Sequence, residues 1–156
     1  MKETWLIDGE ADPVAECARL GGAISRYLID VALVGIGENG HLAFNDPPAD
    51  FQTTQPYLVV ELDERCREQQ LGEGWFDTLN EVPAKAITMS ITKIMKSKHV
   101  ICSVPEQRKA AAVKNTVERP PNNLFPASIL QLHGRCSLYL DKASASALTA
   151  YRRYYV

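Results

Sequence analysis

Short apolar runs alternate along the chain with stretches whose apolar residues recur at helical spacing. The apolar runs predict strands at about residues 31–34, 58–61, 86–90, 100–104 and 137–140. The other stretches predict helices near residues 63–70, 91–96, 106–118, 127–132 and 144–152. This alternation predicts an α/β fold, with an open, mostly parallel sheet and helices on both of its faces, as in Rossmann-like proteins. One strand pairing is expected to be irregular, because the link before the strand near Leu58 is short.

A further helix is predicted to begin at Pro13, near the start of the chain. Asp12 is a favourable N-cap residue, and proline is well suited to the first helical position. Apolar or small residues then recur on one helical face, namely Val14, Cys17, Gly21, Ile24 and Leu28. This face is expected to pack on the sheet.

The most informative segment is residues 31–48, which read VALVGIGENGHLAFNDPP. The four apolar residues at 31–34 suit an interior strand of a parallel sheet, and ligands of such sheets bind beyond the carboxyl ends of the strands. The turn that follows contains Gly35, Gly37 and Gly40, and it carries His41. We therefore expect a functional site in this turn.

Two interpretations of this turn are less favoured. Gly35, Gly37 and Gly40 have the spacing of a dinucleotide-binding motif, but that motif needs a long helix after its third glycine, and here Pro47 and Pro48 follow too soon. Alternatively, the glycines only form a tight turn and His41 is a polar residue at its edge. The nearby amide and carboxylate argue against this second interpretation, because a carboxylate fixes the tautomer of an imidazole and raises its basicity.

The string GIGENGHLAFNDP closely resembles the G-x-G-x-[DN]-G-H-[IL]-A-F-N-[ED]-P signature of the glucosamine-6-phosphate deaminases, also called glucosamine-6-phosphate isomerases. The related 6-phosphogluconolactonases follow the histidine with a different sequence, so residues 42–46 favour the amino-sugar branch. The resemblance continues through residues 63–65, 82–83, 107–110 and 130–133, and it reaches upstream to residues 15–17.

The resemblance implies a catalytic role for three residues. His41 would be the acid and base that opens the pyranose ring by handling the proton on the ring oxygen. Asp46 would orient and polarise His41, with a side chain one methylene shorter than the glutamate of many members. Asn39 stands where many members have aspartate; as an amide it would accept a hydrogen bond from the ring and stabilise imidazolium less.

The resemblance also implies substrate-binding residues. Gly40 and Ala43 of the turn would lie against the sugar, and Lys109 would supply a positive charge for the sugar phosphate. The family commonly has a phosphate-binding arginine near residues 69–70. Arg65 and Arg67 precede this position and either could take that role, with Arg67 as our candidate; the alternative is that both are solvated helix charges.

The resemblance implies an activity, with alternatives. Family members convert glucosamine 6-phosphate into fructose 6-phosphate and ammonia without an organic cofactor, and no metal is expected. The chain resembles the carboxyl-terminal part of the family's usual length, and neither the family's phosphate loop nor its proton-transferring aspartate is found. Residues 1–156 are therefore expected to form one isomerase-like domain whose activity is uncertain. The alternatives are a catalytically silent sugar-phosphate-binding or assembly fragment and a hydrolase like 6-phosphogluconolactonase.

Composition narrows the choice of partners. The 156 residues are 46% hydrophobic and 23% charged, with a net charge of −2, which argues against a nucleic-acid-binding surface. The four cysteines have neither disulfide-framework nor zinc-site spacing, so reduced thiols and a cytoplasmic location are expected. No membrane span or signal peptide is predicted. The expected partner is a small sugar phosphate, and the resemblance also allows a homo-oligomer.

Overall fold

In the computed structural model, residues 3–149 are described. The α-helices are α1 (Pro13–Ile24), α2 (Glu64–Gly72), α3 (Ile91–Ile94) and α4 (Ala110–Glu118). The strands are β1 (Val31–Val34), β2 (Tyr57–Glu61), β3 (Lys85–Met89), β4 (His99–Val104) and β5 (Cys136–Leu140). Two 3₁₀ segments, Gln107–Lys109 and Pro126–Leu132, complete the set.

The sheet topology confirms the α/β fold with a parallel sheet and corrects its size. Strands β1, β4 and β5 form a parallel sheet in the order β1-β4-β5. The expectation of five strands in one sheet is wrong, because β2 and β3 pair with each other in an antiparallel ladder and form a separate sheet. The connection through α2 reverses the chain, so β3 returns beside β2 instead of crossing over to the parallel sheet.

Residues 144–149 do not form the predicted helix, and residues 150–152 lie outside the described part of the chain. Ser146 and Leu148 each donate a backbone hydrogen bond to the carbonyl three residues earlier, to Ala143 and Ala145. The side chain of Asp141 accepts from the backbone N–H of Ser144 at 2.6 Å. Short polar side chains compete in this way with regular helix bonds, and the segment remains a series of turns.

The hydrophobic core lies on one face of the parallel sheet. Val100, Cys102 and Val104 of β4 are at most 1% exposed and face this core. They pack in one cluster with residues from the surrounding helices, namely Ile91, Ile94, Ala112, Val113, Ala127 and Leu130. The expectation that β1 is an interior strand is wrong: it lies at the edge of the sheet, and its Leu33 is 77% exposed.

Three helices begin at side chains that accept a hydrogen bond from the first turn. Asp12 accepts from the N–H of Ala15 at 2.8 Å, which confirms the predicted start of α1. Asp63 and Ser90 are the corresponding N-caps of α2 and α3. Such caps satisfy N–H groups that have no partner within the helix.

The turn after β1 is fixed to the core and to the second sheet. Leu42 is fully buried, and it forms a bridge with Ile36 across the turn. The Nδ2 of Asn45 donates to the carbonyl of Leu42 at 2.7 Å and to that of Met89, at the end of β3, at 3.0 Å. The turn is therefore held rigidly at the carboxyl end of β1.

Two leucines of the second 3₁₀ segment test the location of the core. Leu130 is 5% exposed and belongs to the core cluster, whereas Leu132 is 69% exposed. Leu130→Ala is expected to lower the free energy of unfolding by about 2–5 kcal/mol, because it leaves a cavity. Leu132→Ala should change it by less than about 0.5 kcal/mol. Urea unfolding of the two variants checks this, and equal losses would contradict the assignment of the core.

Candidate functional site

His41 lies in the turn after β1, with its imidazole against a carboxylate. Its Nδ1 is 3.1 Å from Oδ1 of Asp46, and the two side chains are only 8% and 7% exposed. The backbone N–H of His41 donates to Oδ1 of Asn39 at 2.9 Å. The structure thus brings together the three residues to which the sequence assigned a catalytic role, and the short side chain of Asp46 reaches the ring.

The Asp46 carboxylate accepts hydrogen bonds from several sides. Besides the His41 ring, the Nδ2 of Asn39 donates to its Oδ1 at 2.8 Å and the backbone N–H of Asp63 donates to its Oδ2 at 3.0 Å. Burial by itself raises the pKa of Asp46, but the hydrogen bonds from His41, Asn39 and Asp63 together lower the pKa below its ordinary 3.8. The carboxylate is therefore ionised at neutral pH and can only accept. It follows that Nδ1 of His41 carries a hydrogen, which leaves Nε2 to exchange a proton.

Asn39 has a different role from the one expected. The expectation that its amide accepts a hydrogen bond from the imidazole is wrong, because Asp46 takes that position. Its Nδ2 instead donates to both Asp46 Oδ1 and Asp63 Oδ2, each at 2.8 Å. An aspartate at this position would have no hydrogen to donate and would add a third carboxylate to the group. The amide therefore holds two carboxylates together.

Asp63 is the residue of this group that the sequence reasoning did not assign to the site. Its Oδ1 accepts from the N–H of Cys66 at 2.6 Å as the N-cap of α2, while its Oδ2 accepts from Asn39. Its backbone N–H donates to Asp46. The position of Asp63 before a predicted helix signals a cap, but no sequence pattern signals its contact with Asn39, which is 24 residues away.

Gly37 makes room for the imidazole. A Cβ added at this position would overlap the His41 ring. The N–H of Gly37 also donates to the carbonyl of His41 at 3.0 Å, which closes the turn under the ring. At Gly35, by contrast, an added Cβ would meet the Ser103 carbonyl at 3.6 Å, an ordinary contact. Glycine is therefore required at 37 by the site, and less strictly at 35.

A cavity of about 590 Å³ opens in front of His41, beyond the carboxyl ends of β1 and β4. The residues that matter for its chemistry are His41, Ala43, Glu73, Thr88, Arg108 and Lys109. Its volume is in the range of small-molecule sites in proteins. Its position at the strand ends is where ligands of parallel sheets bind.

Two cations of different character line the cavity. Arg108 is paired with Glu38, Glu73 and Glu106, at 3.0, 3.4 and 2.7 Å. Lys109 is only 7% exposed, and within residues 3–149 its Nζ makes no hydrogen bond or ion pair. Burial, and secondly the charge of Arg108, lower the pKa of Lys109. An anion entering the cavity would therefore find Lys109 free to pair.

The remaining predicted substrate-binding residues are placed differently. Ala43 lines the cavity, with a backbone φ of 53°. Gly40 has a φ of 89°, and its carbonyl accepts from the N–H of Ala127, outside the cavity lining. Arg67 is also outside the lining, and its Nη2 donates to the carbonyls of Leu79 and Val82 at 2.6 and 3.0 Å. Arg67 thus fixes the loop before β3. It is neither a solvated charge on the helix nor a residue beside His41.

Among the described residues, one group offers ligand atoms for a metal ion: His41, Asp46 and Cys66, whose ligand atoms lie within 4.8 Å of one another. Burial, and then the charges of Asp46 and Asp63, raise the pKa of the Cys66 thiol to about 12. A protonated thiol is a poor ligand, and the other two side chains already bind each other. All four cysteines of the chain are free.

No family model matches the chain. The glucosamine-6-phosphate deaminase of Exiguobacterium sp. (strain ATCC BAA-1283 / AT1b) is 40% identical over 146 residues, which cover 93% of this chain and 56% of that protein. A solved monomeric glucosamine-6-phosphate deaminase of the NagB superfamily superposes with a TM-score of 0.84 at 36% identity, covering 92% of this chain and 58% of that one. The chain is therefore similar in sequence and fold to glucosamine-6-phosphate deaminases over part of their length.

The family is matched over part of its length. The chain spans 56–62% of the curated relatives that it matches. The 6-phosphogluconolactonase of Trypanosoma brucei has the same fold, with a TM-score of 0.65 at 18% identity. Among residues 3–149 of this chain, every helix is too short or too polar to cross a membrane.

A glycine pair in the turn tests the packing under His41. Gly37→Ala is expected to displace the imidazole and to cost about 1–3 kcal/mol of stability, because the added methyl group overlaps the ring. The NMR signal of the His41 Nδ1 hydrogen, protected by its bond to Asp46, should disappear. Gly35→Ala should keep that signal. Retention of the signal in both variants would contradict the packing described here.

Asp63 and Asp12 provide a matched pair of N-caps. In Asp63→Asn the amide oxygen still caps α2, but the amide nitrogen faces the donor Nδ2 of Asn39. We therefore expect the free energy of unfolding to fall by roughly 1–3 kcal/mol and the signal of the His41 Nδ1 hydrogen to disappear. Asp12→Asn changes only the cap of α1 and should cost a few tenths of a kcal/mol with the signal unchanged. Thermal unfolding and proton NMR check both. An unchanged signal in Asp63→Asn would make Asp63 a helix cap only.

Proposed function

We propose that this chain carries the ring-opening and phosphate-binding part of a glucosamine-6-phosphate deaminase, which forms fructose 6-phosphate and ammonia. The observation that carries the proposal is the His41–Asp46 contact at 3.1 Å on the wall of a cavity that also contains Lys109. The names of the relatives supply the substrate class. The chain spans little more than half of the length of those relatives, so its ability to catalyse the complete reaction is itself proposed.

His41 acts on the ring oxygen of the bound sugar. Opening a pyranose hemiacetal breaks the bond between C1 and the ring oxygen; the ring oxygen gains a proton and the C1 hydroxyl loses one. Nε2 of His41 exchanges this proton, while Nδ1 stays bonded to Asp46. An ionised carboxylate at this distance stabilises the imidazolium that forms when Nε2 takes up a proton.

Lys109 binds the phosphate of the substrate. Within residues 3–149 the buried ammonium of Lys109 makes no ion pair, so it gains more from an incoming dianion than Arg108, whose guanidinium is already bonded to acids. Burial lowers the pKa of Lys109, and pairing with phosphate opposes this effect because a nearby negative charge favours the ammonium. The phosphate would thus hold the sugar in the cavity with its ring facing His41.

The proposal is tested by ammonia and fructose 6-phosphate formation from glucosamine 6-phosphate. His41→Ala is expected to lower turnover by roughly 10²- to 10⁴-fold, the usual contribution of a general acid and base. The control is His99→Ala, which removes an exposed histidine at the start of β4. Lys109→Met should raise KM more than it lowers kcat, whereas Lys114→Met, on the exposed side of α4, should change neither.

Other outcomes select the alternatives. Thermal stabilisation of the folded chain by glucosamine 6-phosphate without ammonia release would indicate a silent sugar-phosphate-binding module. Hydrolysis of 6-phosphogluconolactone without ammonia release would indicate a lactonase-like hydrolase. Turnover that survives His41→Ala would remove His41 from the mechanism.

A further inference from the structure

Cys66 lies against the His41–Asp46 pair. It is the third residue of α2, and its side chain is fully buried. The N-cap Asp63 accepts from its backbone N–H at 2.6 Å, which fixes this residue in the first turn of the helix. The Cys66 Sγ and the ligand atoms of His41 and Asp46 all lie within 4.8 Å of one another. The thiol is therefore a neighbour of the carboxylate that orients the imidazole.

The Asp46 carboxylate has an acceptor position left for this thiol. A carboxylate accepts about four hydrogen bonds, two at each oxygen. Oδ1 of Asp46 accepts from the His41 ring and from the Asn39 amide, whereas Oδ2 accepts from the backbone N–H of Asp63. Within residues 3–149, these three N–H donors leave one position on Oδ2.

The thiol is in the form that donates. Burial, and then the negative charges of Asp46 and Asp63, raise the pKa of the Cys66 thiol to about 12, so it keeps its hydrogen at neutral pH. Glu73 adds a smaller effect of the same sign. Asp46 also acts on the thiol as a hydrogen-bond partner. A thiol hydrogen turns freely about the bond between Cβ and Sγ, so it can point at this acceptor.

We propose that Cys66 is a positioning residue of the site: its S–H donates to Asp46 and thereby limits how strongly the carboxylate holds the Nδ1 hydrogen of His41. Donors that share one carboxylate compete for its charge, so an added donor weakens the bonds of the others. A thiol is a weak donor. It therefore adds to the solvation of the buried charge and leaves most of that charge directed at His41. The effect on ring opening rests on the proposed function, whereas the hydrogen bond does not.

A packing role is the alternative interpretation of this position, because buried cysteine often behaves as a small apolar residue. Cys102 on β4 is such a residue: it is also fully buried, and it belongs to the apolar core cluster. Burial, and then Cys136, raise the pKa of Cys102 to about 12. The two buried cysteines therefore form a matched pair, one beside a carboxylate and one among apolar side chains.

Alanine and serine at position 66 separate the two roles. Both side chains are smaller than cysteine and loosen the packing alike, but alanine donates no hydrogen bond and serine is a stronger donor than cysteine. In Cys66→Ala, the NMR signal of the His41 Nδ1 hydrogen should move to lower field, because Asp46 then holds this hydrogen more strongly. In Cys66→Ser, it should move to higher field. Cys102→Ala and Cys102→Ser should leave it in place.

Infrared absorption of the S–H stretch gives a measurement on the unmodified chain. A thiol that donates to a carboxylate absorbs at lower frequency than a thiol among apolar groups. We expect one such low-frequency band from the four cysteines, and Cys66→Ser should remove it while Cys102→Ser keeps it. If Cys66→Ser does not fold, single serine variants of the other three cysteines assign the band by elimination.

Three results would overturn the proposal. One is a shift of the Nδ1 signal in the same direction in Cys66→Ala and Cys66→Ser, or no shift in either, which would make Cys66 a packing residue. Another is the lack of a low-frequency S–H band in the unmodified chain. The third is a low-frequency band that belongs to a different cysteine. The expected spectra without ammonia release from glucosamine 6-phosphate would refute the proposed function and support the role of Cys66.

Discussion

The rest of the site depends on the buried negative charge of Asp46. Taking a carboxylate out of water costs several kcal/mol unless hydrogen bonds replace its solvation, and here the donors are the His41 ring, the Asn39 amide and the Asp63 backbone. These donors come from the turn after β1 and from the start of α2, so the charge is stable only when both segments are in place. The same bonds keep the carboxylate ionised and thereby fix the hydrogen on Nδ1 of His41.

Close packing in the turn follows from this arrangement. The His41 ring lies over Gly37, where no side chain fits, and Leu42 anchors the other side of the turn in the core. Asn39 shows how an uncharged residue can serve beside two carboxylates. With Asp63 close by, an amide that donates to two carboxylates gives a more stable group than three carboxylates would.

Within residues 3–149, the parallel sheet is well packed on the side of the core, and its other face is exposed. That asymmetry explains why β1 has the continuous apolar sequence of an interior strand although two of its four residues are exposed. The apolar run suits a strand that is covered on both faces, and the uncovered face adjoins the cavity in front of His41. The exposed apolar face of the sheet and the cavity in front of His41 are therefore adjacent.

The sequence alone was enough to predict the α/β class, the start of α1 at Asp12, the positions of all five strands and the contact of His41 with Asp46. The fold class, the helix start and the strands follow from local periodicity and cap chemistry, whereas the contact of His41 with Asp46 is implied by the resemblance of the turn to the deaminase signature. The separate pairing of β2 with β3 and the exposure of Leu33 required the tertiary structure, because each depends on where distant segments pack. The same holds for Asp63 beside Asn39 and for Arg67 bound to loop carbonyls, since side-chain contacts over 12 to 24 residues leave no periodic signal in the chain.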